Sequence, residues 1–221
     1  MPHDTPHAGV PSVRHGRPQD YVTPPFLVAA VGASAGGLKA VSLLIEHVPE
    51  NAPMSFVLAQ HMSRKHPSWL PDILARRTAL RVTFGQDAQR IEIGHVYVIP
   101  PGKHMTVIDR HLRLAPRPEG FWARQVDALF CSLAEYYRER AIGVVLSGAL
   151  SDGSLGCHAI RAVGGLTFVQ SPAEAQVDSM PLAAIAAGGG QILSAEAISR
   201  ELLRLAESPR FRLSSGVAES P

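Results

Sequence analysis

Phe26-Leu-Val-Ala-Ala-Val-Gly32-Ala-Ser34-Ala-Gly36-Gly37-Leu38 is a continuous apolar run that ends in a cluster of small residues and passes at once into a helical pattern. Such a strand, tight turn and helix in succession make a βα unit, and three further segments repeat it. Ser55–Ala59, Ile142–Leu146 and Thr167–Val169 are short apolar runs, each followed by a polar or Gly-containing loop and then a helix. The helical patterns run from Leu38 to Glu46, Trp69 to Arg76, Val126 to Arg140, Leu155 to Ala162, Pro181 to Ala187 and Ala195 to Glu207. In the third, Leu129, Leu133, Tyr136 and Tyr137 fall on one face. Strands that are apolar throughout are expected where helices cover both faces of a sheet. The reading is therefore an α/β fold, a three-layer α/β/α sandwich around a mainly parallel, doubly wound sheet. From His95 to Leu114 the alternation of Val96 and Val98, then Val107, Leu112 and Leu114 around Asp109-Arg110, reads as an antiparallel hairpin addition.

The domain is expected over residues 25–208. Residues 1–24 and 209–221 lack apolar periodicity, are rich in Pro, Ser, Gly and charge, and read as disordered tails. His3, His7 and His15 lie in the first of these, where nothing would hold a metal geometry. With 221 residues, 46% of them hydrophobic, the chain suffices for one core that buries roughly 70% of its unfolded surface. Twenty-one Lys and Arg against nineteen Asp and Glu give a net charge of +2, too even for a protein that binds nucleic acid through counterion release. Cys131 and Cys157 stand far apart and read as buried, unpaired thiols of a reducing compartment. No run resembles a signal peptide or approaches the roughly 20 apolar residues of a membrane span, so a soluble cytoplasmic protein is expected, without membrane insertion.

The first turn carries the chemistry. Gly32-Ala-Ser34-Ala-Gly36 fits G-x-S-x-G, in which small neighbours let a serine project from a sharp strand-to-helix turn and the helix N-terminus offers free amides to an oxyanion. The same residues also suit a serine N-cap. A nucleotide site fits less well, because Gly32, Gly36 and Gly37 do not make G-x-G-x-x-G and Leu38 stands where a P-loop carries Lys. A serine nucleophile needs a base. His61 ends the strand Ser55–Ala59, whereas His47 and His158 lie in helices, His66 in a loop, and His95, His104 and His111 in the hairpin region. A third group must fix the imidazole tautomer, and Asp152 follows the strand Ile142–Leu146 after a loop of small residues. An Asp there also serves as an ordinary helix cap. The order Ser, His, Asp differs from the Ser, Asp/Glu, His order of ordinary α/β-hydrolases.

Val31-Gly-Ala-Ser34-Ala-Gly-Gly37, Gln60-His61-Met62, His95-Val-Tyr-Val-Ile-Pro-Pro-Gly102, Val126-Asp127, Gly143-Val-Val-Leu-Ser-Gly148, Ser151-Asp-Gly153 and Met180-Pro181 together resemble the CheB methylesterase domain of bacterial chemotaxis, from about Phe26 to Glu207. The resemblance implies Ser34 as nucleophile, His61 as base and Asp152 as orienting carboxylate. It places Ala35, Gly36, Ala149 and Met180 around the oxyanion and the site lining. It also implies hydrolysis of glutamate methyl esters on the cytoplasmic helices of chemoreceptors or related signalling proteins, with glutamine deamidation as a related activity and no metal or cofactor. A separate receiver or methyltransferase protein is an implied partner. Family members commonly carry Thr at the position of Ala35 and Met at that of Ala149. Gly120-Phe-Trp-Ala-Arg124-Gln replaces a basic, histidine-containing segment. The residues before Phe26 are too few for a receiver domain, so phosphorylation control within the chain is expected to be absent. The wording around Ser34 and His95 is closer to CheB-like domains found alone or joined to methyltransferases. A catalytically weak CheB-like interaction module is the alternative reading.

Overall fold

The structure is a computed structural model, and it describes residues 25–61, 68–117 and 124–211. Chain order is β1 (Leu27–Ala33), α1 (Gly37–Ile45), β2 (Met54–Gln60), α2 (Leu70–Ala75), β3 (Arg81–Phe84), β4 (His95–Val98), β5 (Lys103–Ile108), β6 (His111–Pro116), α3 (Gln125–Tyr137), β7 (Ile142–Val145), α4 (Ser154–Ala162), β8 (Leu166–Gln170), α5 (Ser179–Ala186), β9 (Gln191–Leu193) and α6 (Ala195–Ala206). Seven strands form one parallel sheet in the order β3-β4-β2-β1-β7-β8-β9, and β5 and β6 pair antiparallel beside it. No described helix is long and apolar enough to cross a membrane.

The period of two along each strand sorts its side chains between two cores. Leu27, Ala29 and Val31 of β1, Phe56 and Leu58 of β2 and Val144 of β7 face one side, where Leu44, Leu74, Ile198 and Leu202 of α1, α2 and α6 cover them. Val28, Val57, Val145 and Val169 face the other, beneath Phe130, Leu133, Ile160 and Ala184 of α3, α4 and α5. The expected three layers follow directly. Met105, Val107 and Leu112 bring the β5–β6 hairpin into the second core, and the Val107 N–H donates to Ser132 Oγ on α3 at 3.0 Å.

Four readings need correction. Val96 and Val98 belong to β4, which pairs parallel with both β2 and β3; only β5 and β6 form the hairpin. The apparent alternation overlooked Tyr97, which is fully buried because its hydroxyl meets the Glu92 N–H at 3.0 Å, so β4 is covered on both faces. The edge strands β3 and β9 were not anticipated. Cys157 is buried but Cys131 is exposed, and both are free. Residues 209–211, assigned to the C-terminal tail, pack on the domain: Phe211 is 1% exposed, and Arg140 Nη2 donates to its carbonyl at 3.0 Å. The rest of that tail, residues 1–24 with His3, His7 and His15, and His66 lie outside the described residues.

Candidate active site

The strand order reverses direction at β1. After β1 the chain adds β2, then the edge strand β3, fills β4 between them, and only afterwards adds β7 on the opposite side of β1. The carboxyl ends around such a switch point form the crevice where open α/β sheets gather their ligands. Register sets the level of the residues there. Ala33 pairs with Gln60, so Ser34 and His61 leave the sheet side by side, and the His61 N–H reaches the Ala33 carbonyl at 3.3 Å.

Two contacts join the three predicted residues. His61 Nδ1 lies 3.2 Å from Ser34 Oγ, and His61 Nε2 lies 2.8 Å from Asp152 Oδ2. A carboxylate only accepts, so the ring proton sits on Nε2 and leaves the Nδ1 lone pair facing the serine hydroxyl. The Asp152 side chain is fully buried, whereas that of His61 is 12% exposed. Asp152 is held by more than the imidazole: the N–H groups of Val126 and Asp127 donate to Oδ2 and Oδ1, each at 2.9 Å. These are orphan donors of the first turn of α3, so burial of the carboxylate is matched by hydrogen bonds and by the positive end of a helix dipole. The network is consistent with a catalytic triad.

The turn after Ser34 is built by Gly36, whose φ of 74° lies in the left-handed region. A Cβ there would also approach Ser147 Oγ and Gln176 Cβ at 2.7 and 2.6 Å. Ser147, which motif reading noted without a role, ties the turn down. Its carbonyl accepts from the Ser34 N–H at 3.0 Å, and its hydroxyl donates to the Ala35 carbonyl at 2.8 Å and accepts from the Val177 N–H at 3.0 Å. Gln170 Oε1 in turn accepts from the Ser147 N–H at 2.8 Å.

The four expected lining residues divide. The Ala35, Gly36 and Ala149 N–H groups bond to no protein acceptor among the described residues. The Met180 N–H is committed to the Gly148 carbonyl at 2.9 Å, and its side chain is buried with Sδ against Gly148. Met180 therefore supports the loop from beneath. A cleft of about 560 Å³ opens beside the turn, lined by Gly36, Lys39, Ser147, Gln170, Glu174 and Glu196 among others. Among the described residues no group of three or more His, Cys, Asp and Glu is placed to hold a metal ion.

Comparison with known proteins places this arrangement. A family model described as CheB methylesterase matches residues 29–202. The chain belongs to the CheB methylesterase family. A Myxococcus xanthus protein-glutamate methylesterase/protein-glutamine glutaminase is 36% identical over 187 residues, which cover 80% of this chain and 54% of that protein. The chain thus spans about half the length of that relative. A Leptospira interrogans protein is 32% identical over 179 residues, covering 79% of this chain and 92% of its own length. The crystal structure of the Thermotoga maritima CheB methylesterase catalytic domain superposes with a TM-score of 0.74, covering 81% of this chain and 98% of that one at 24% identity, and so shares the fold.

Proposed function

We propose that the protein is a serine hydrolase that removes methyl groups from glutamate methyl esters on a protein side chain, in the cytoplasm. The observation that carries the reading is the chain Ser34 Oγ, His61, Asp152, joined at 3.2 and 2.8 Å. In this mechanism Ser34 Oγ attacks the ester carbonyl while His61 Nδ1 takes its proton, and Asp152 stabilises the imidazolium. The oxyanion forms near the open N–H groups of Ala35, Gly36 and Ala149, and the N-terminus of α1 favours its charge. His61 then gives its proton to the departing methoxide, so methanol leaves and a glutamyl ester remains on Ser34. Water repeats the sequence. It loses a proton to His61, the Ser34 ester bond breaks, the serine recovers the proton, and glutamate is released. With glutamine as substrate, ammonia takes the place of methanol.

Family membership and the name of the Myxococcus relative support glutamate esters as the substrate, and methylated chemoreceptor cytoplasmic helices or related signalling proteins as the partners. A separate receiver or methyltransferase protein fits the same setting. Methanol release from methylated receptor fragments, measured for wild type and Ser34→Ala, tests the reading. Loss of at least about 10³-fold is expected in the variant, since a triad acts as a unit. Equal rates for the two proteins, or background from both on several receptors, would overturn it.

A further inference from the structure

Asp152 and Asp127 cap one another's helices. Asp152 stands in the loop before α4, yet its carboxylate accepts the Val126 and Asp127 N–H groups of α3. Asp127 stands in the first turn of α3, and its Oδ1 accepts the Gly153 and Gly156 N–H groups of α4, each at 2.9 Å. Both residues are buried, Asp127 at 8% and Asp152 at 2% exposure. Gly153 follows Asp152 directly and takes φ 98°, so the Asp127 bond fixes the peptide that sets the direction of the Asp152 side chain. A Cβ on Gly153 would come within 2.8 Å of Val126 Cγ1, which shows how closely the two helix starts are drawn together.

An ordinary cap needs neither the second carboxylate nor its buried charge. A Ser or Asn on α4 itself would satisfy those amides locally. Here the capping acid comes from the neighbouring helix, lies beside the acid that holds His61, and carries a like charge. The geometry points to Asp127 as a positioning residue of the hydrolase: it clamps the Asp152 loop so that Oδ2 stays on His61 Nε2, and its charge adds to the field that favours the imidazolium. The inference rests on the triad reading above.

The groups that face this pair come from each neighbouring element. Arg124 just before α3, Cys131 of α3 and Cys157 of α4 face Asp127, and His104 of β5 faces Asp152. Burial, and with a smaller effect the nearby Asp152, hold the Asp127 carboxyl above its usual range against the lowering pull of the Gly156 and Gly153 amide hydrogen bonds. The cost of keeping a charge there is consistent with a functional rather than a stabilising role.

Three proteins of full length distinguish the clamp from a simple cap: wild type, Asp127→Ala and Asp127→Asn. The probes are hydrolysis of p-nitrophenyl acetate between pH 5 and 9 and the NMR resonance of the His61 Nε2 proton. Asp127→Ala should lose about 10- to 100-fold in kcat with little change in KM, because it frees the loop without touching substrate. It should also broaden or displace the His61 resonance. Asp127→Asn keeps the accepting oxygen and should recover most of kcat, but the acid limb of its profile should move to lower pH by about half a unit, because an anion that favours the imidazolium has been removed. The NMR arm reads the clamp even if no ester is hydrolysed, so failure of the clamp and failure of the hydrolase reading remain distinct. Wild-type kcat and an unchanged His61 resonance in Asp127→Ala would overturn the proposal. If that variant does not fold, an Asp127→Asn profile superimposable on wild type would do the same.

Discussion

Asp127 makes opposite demands on stability and on the site. Its carboxyl is raised mainly by burial, so the folded protein binds that proton more tightly than the unfolded chain does. Stability from this group is therefore fully present below the ordinary carboxylate range and is lost as pH rises through the higher folded value. Asn at position 127 is neutral throughout and lacks the loss. The melting temperature of Asp127→Asn relative to wild type should accordingly climb as pH goes from about 4 towards 7, in thermal melts at matched ionic strength. A difference that stays flat or falls over that window would show that the charge is not a net burden on the fold. Asp127 also marks the limit of residue-scale reading. Val126-Asp127 was visible as a motif, but partners 25 to 29 positions away are set by helix packing and leave no local pattern. Ser34 and His61 were legible because each directly follows a strand-like run, and Asp152 because it is the one acid in the small-residue loop that follows another.

Among elements, the six described helices and four of the five inner strands, β1, β2, β7 and β8, follow from apolar periodicity, because burial on both faces or one writes itself into residue type. The edges do not. β3 is partly open along most of its length, and β9 is three residues with Gln191 and Ile192 exposed, so neither carries a core-like run. The segment after α6 is the other departure. Phe211 is a lone aromatic beyond the last period, yet its ring fills the first core and lies 5.7 and 5.6 Å from the Arg140 and Arg210 guanidinium carbons. Arg210 in addition donates to the Gly164 carbonyl at 2.8 Å. This short segment thus ties α6 to the 3₁₀ turn Arg138–Arg140 and to the end of α4. Phe211→Ala should destabilise the protein by about 3 kcal/mol, the usual cost of emptying a buried Phe site. Its p-nitrophenyl acetate kcat below the melting range should match wild type, because the segment lies away from Ser34. Chemical denaturation with an unchanged midpoint would remove Phe211 from the core.

At the scale of the whole molecule, the reactivity proposed for Ser34 depends on three adjacent strands rather than on a local motif. G-x-S-x-G would exist in the unfolded chain, but His61 lies 27 positions beyond Ser34 and Asp152 another 91 beyond His61, and only the order β2-β1-β7 brings them together. The Ser, His, Asp order has the same origin: β1 is central, β2 is laid beside it first, and β7 closes the other side after the hairpin and α3 have been built. α3 then serves both the second core, through Leu129, Phe130 and Leu133, and the site, through the two N–H groups on Asp152. Phenylmethylsulfonyl fluoride tests this dependence, because it sulfonylates a serine only where a base removes the proton. The folded protein should gain one sulfonyl group, which peptide mass mapping should place on Ser34. Asp152→Asn should slow that labelling by about 10³-fold or more, as loss of the orienting carboxylate misplaces the imidazole proton. Across a urea titration, labelling should disappear together with the far-ultraviolet circular dichroism. Labelling that survives in the unfolded chain, or that falls on another serine, would show that the reactivity does not come from the switch point of this sheet.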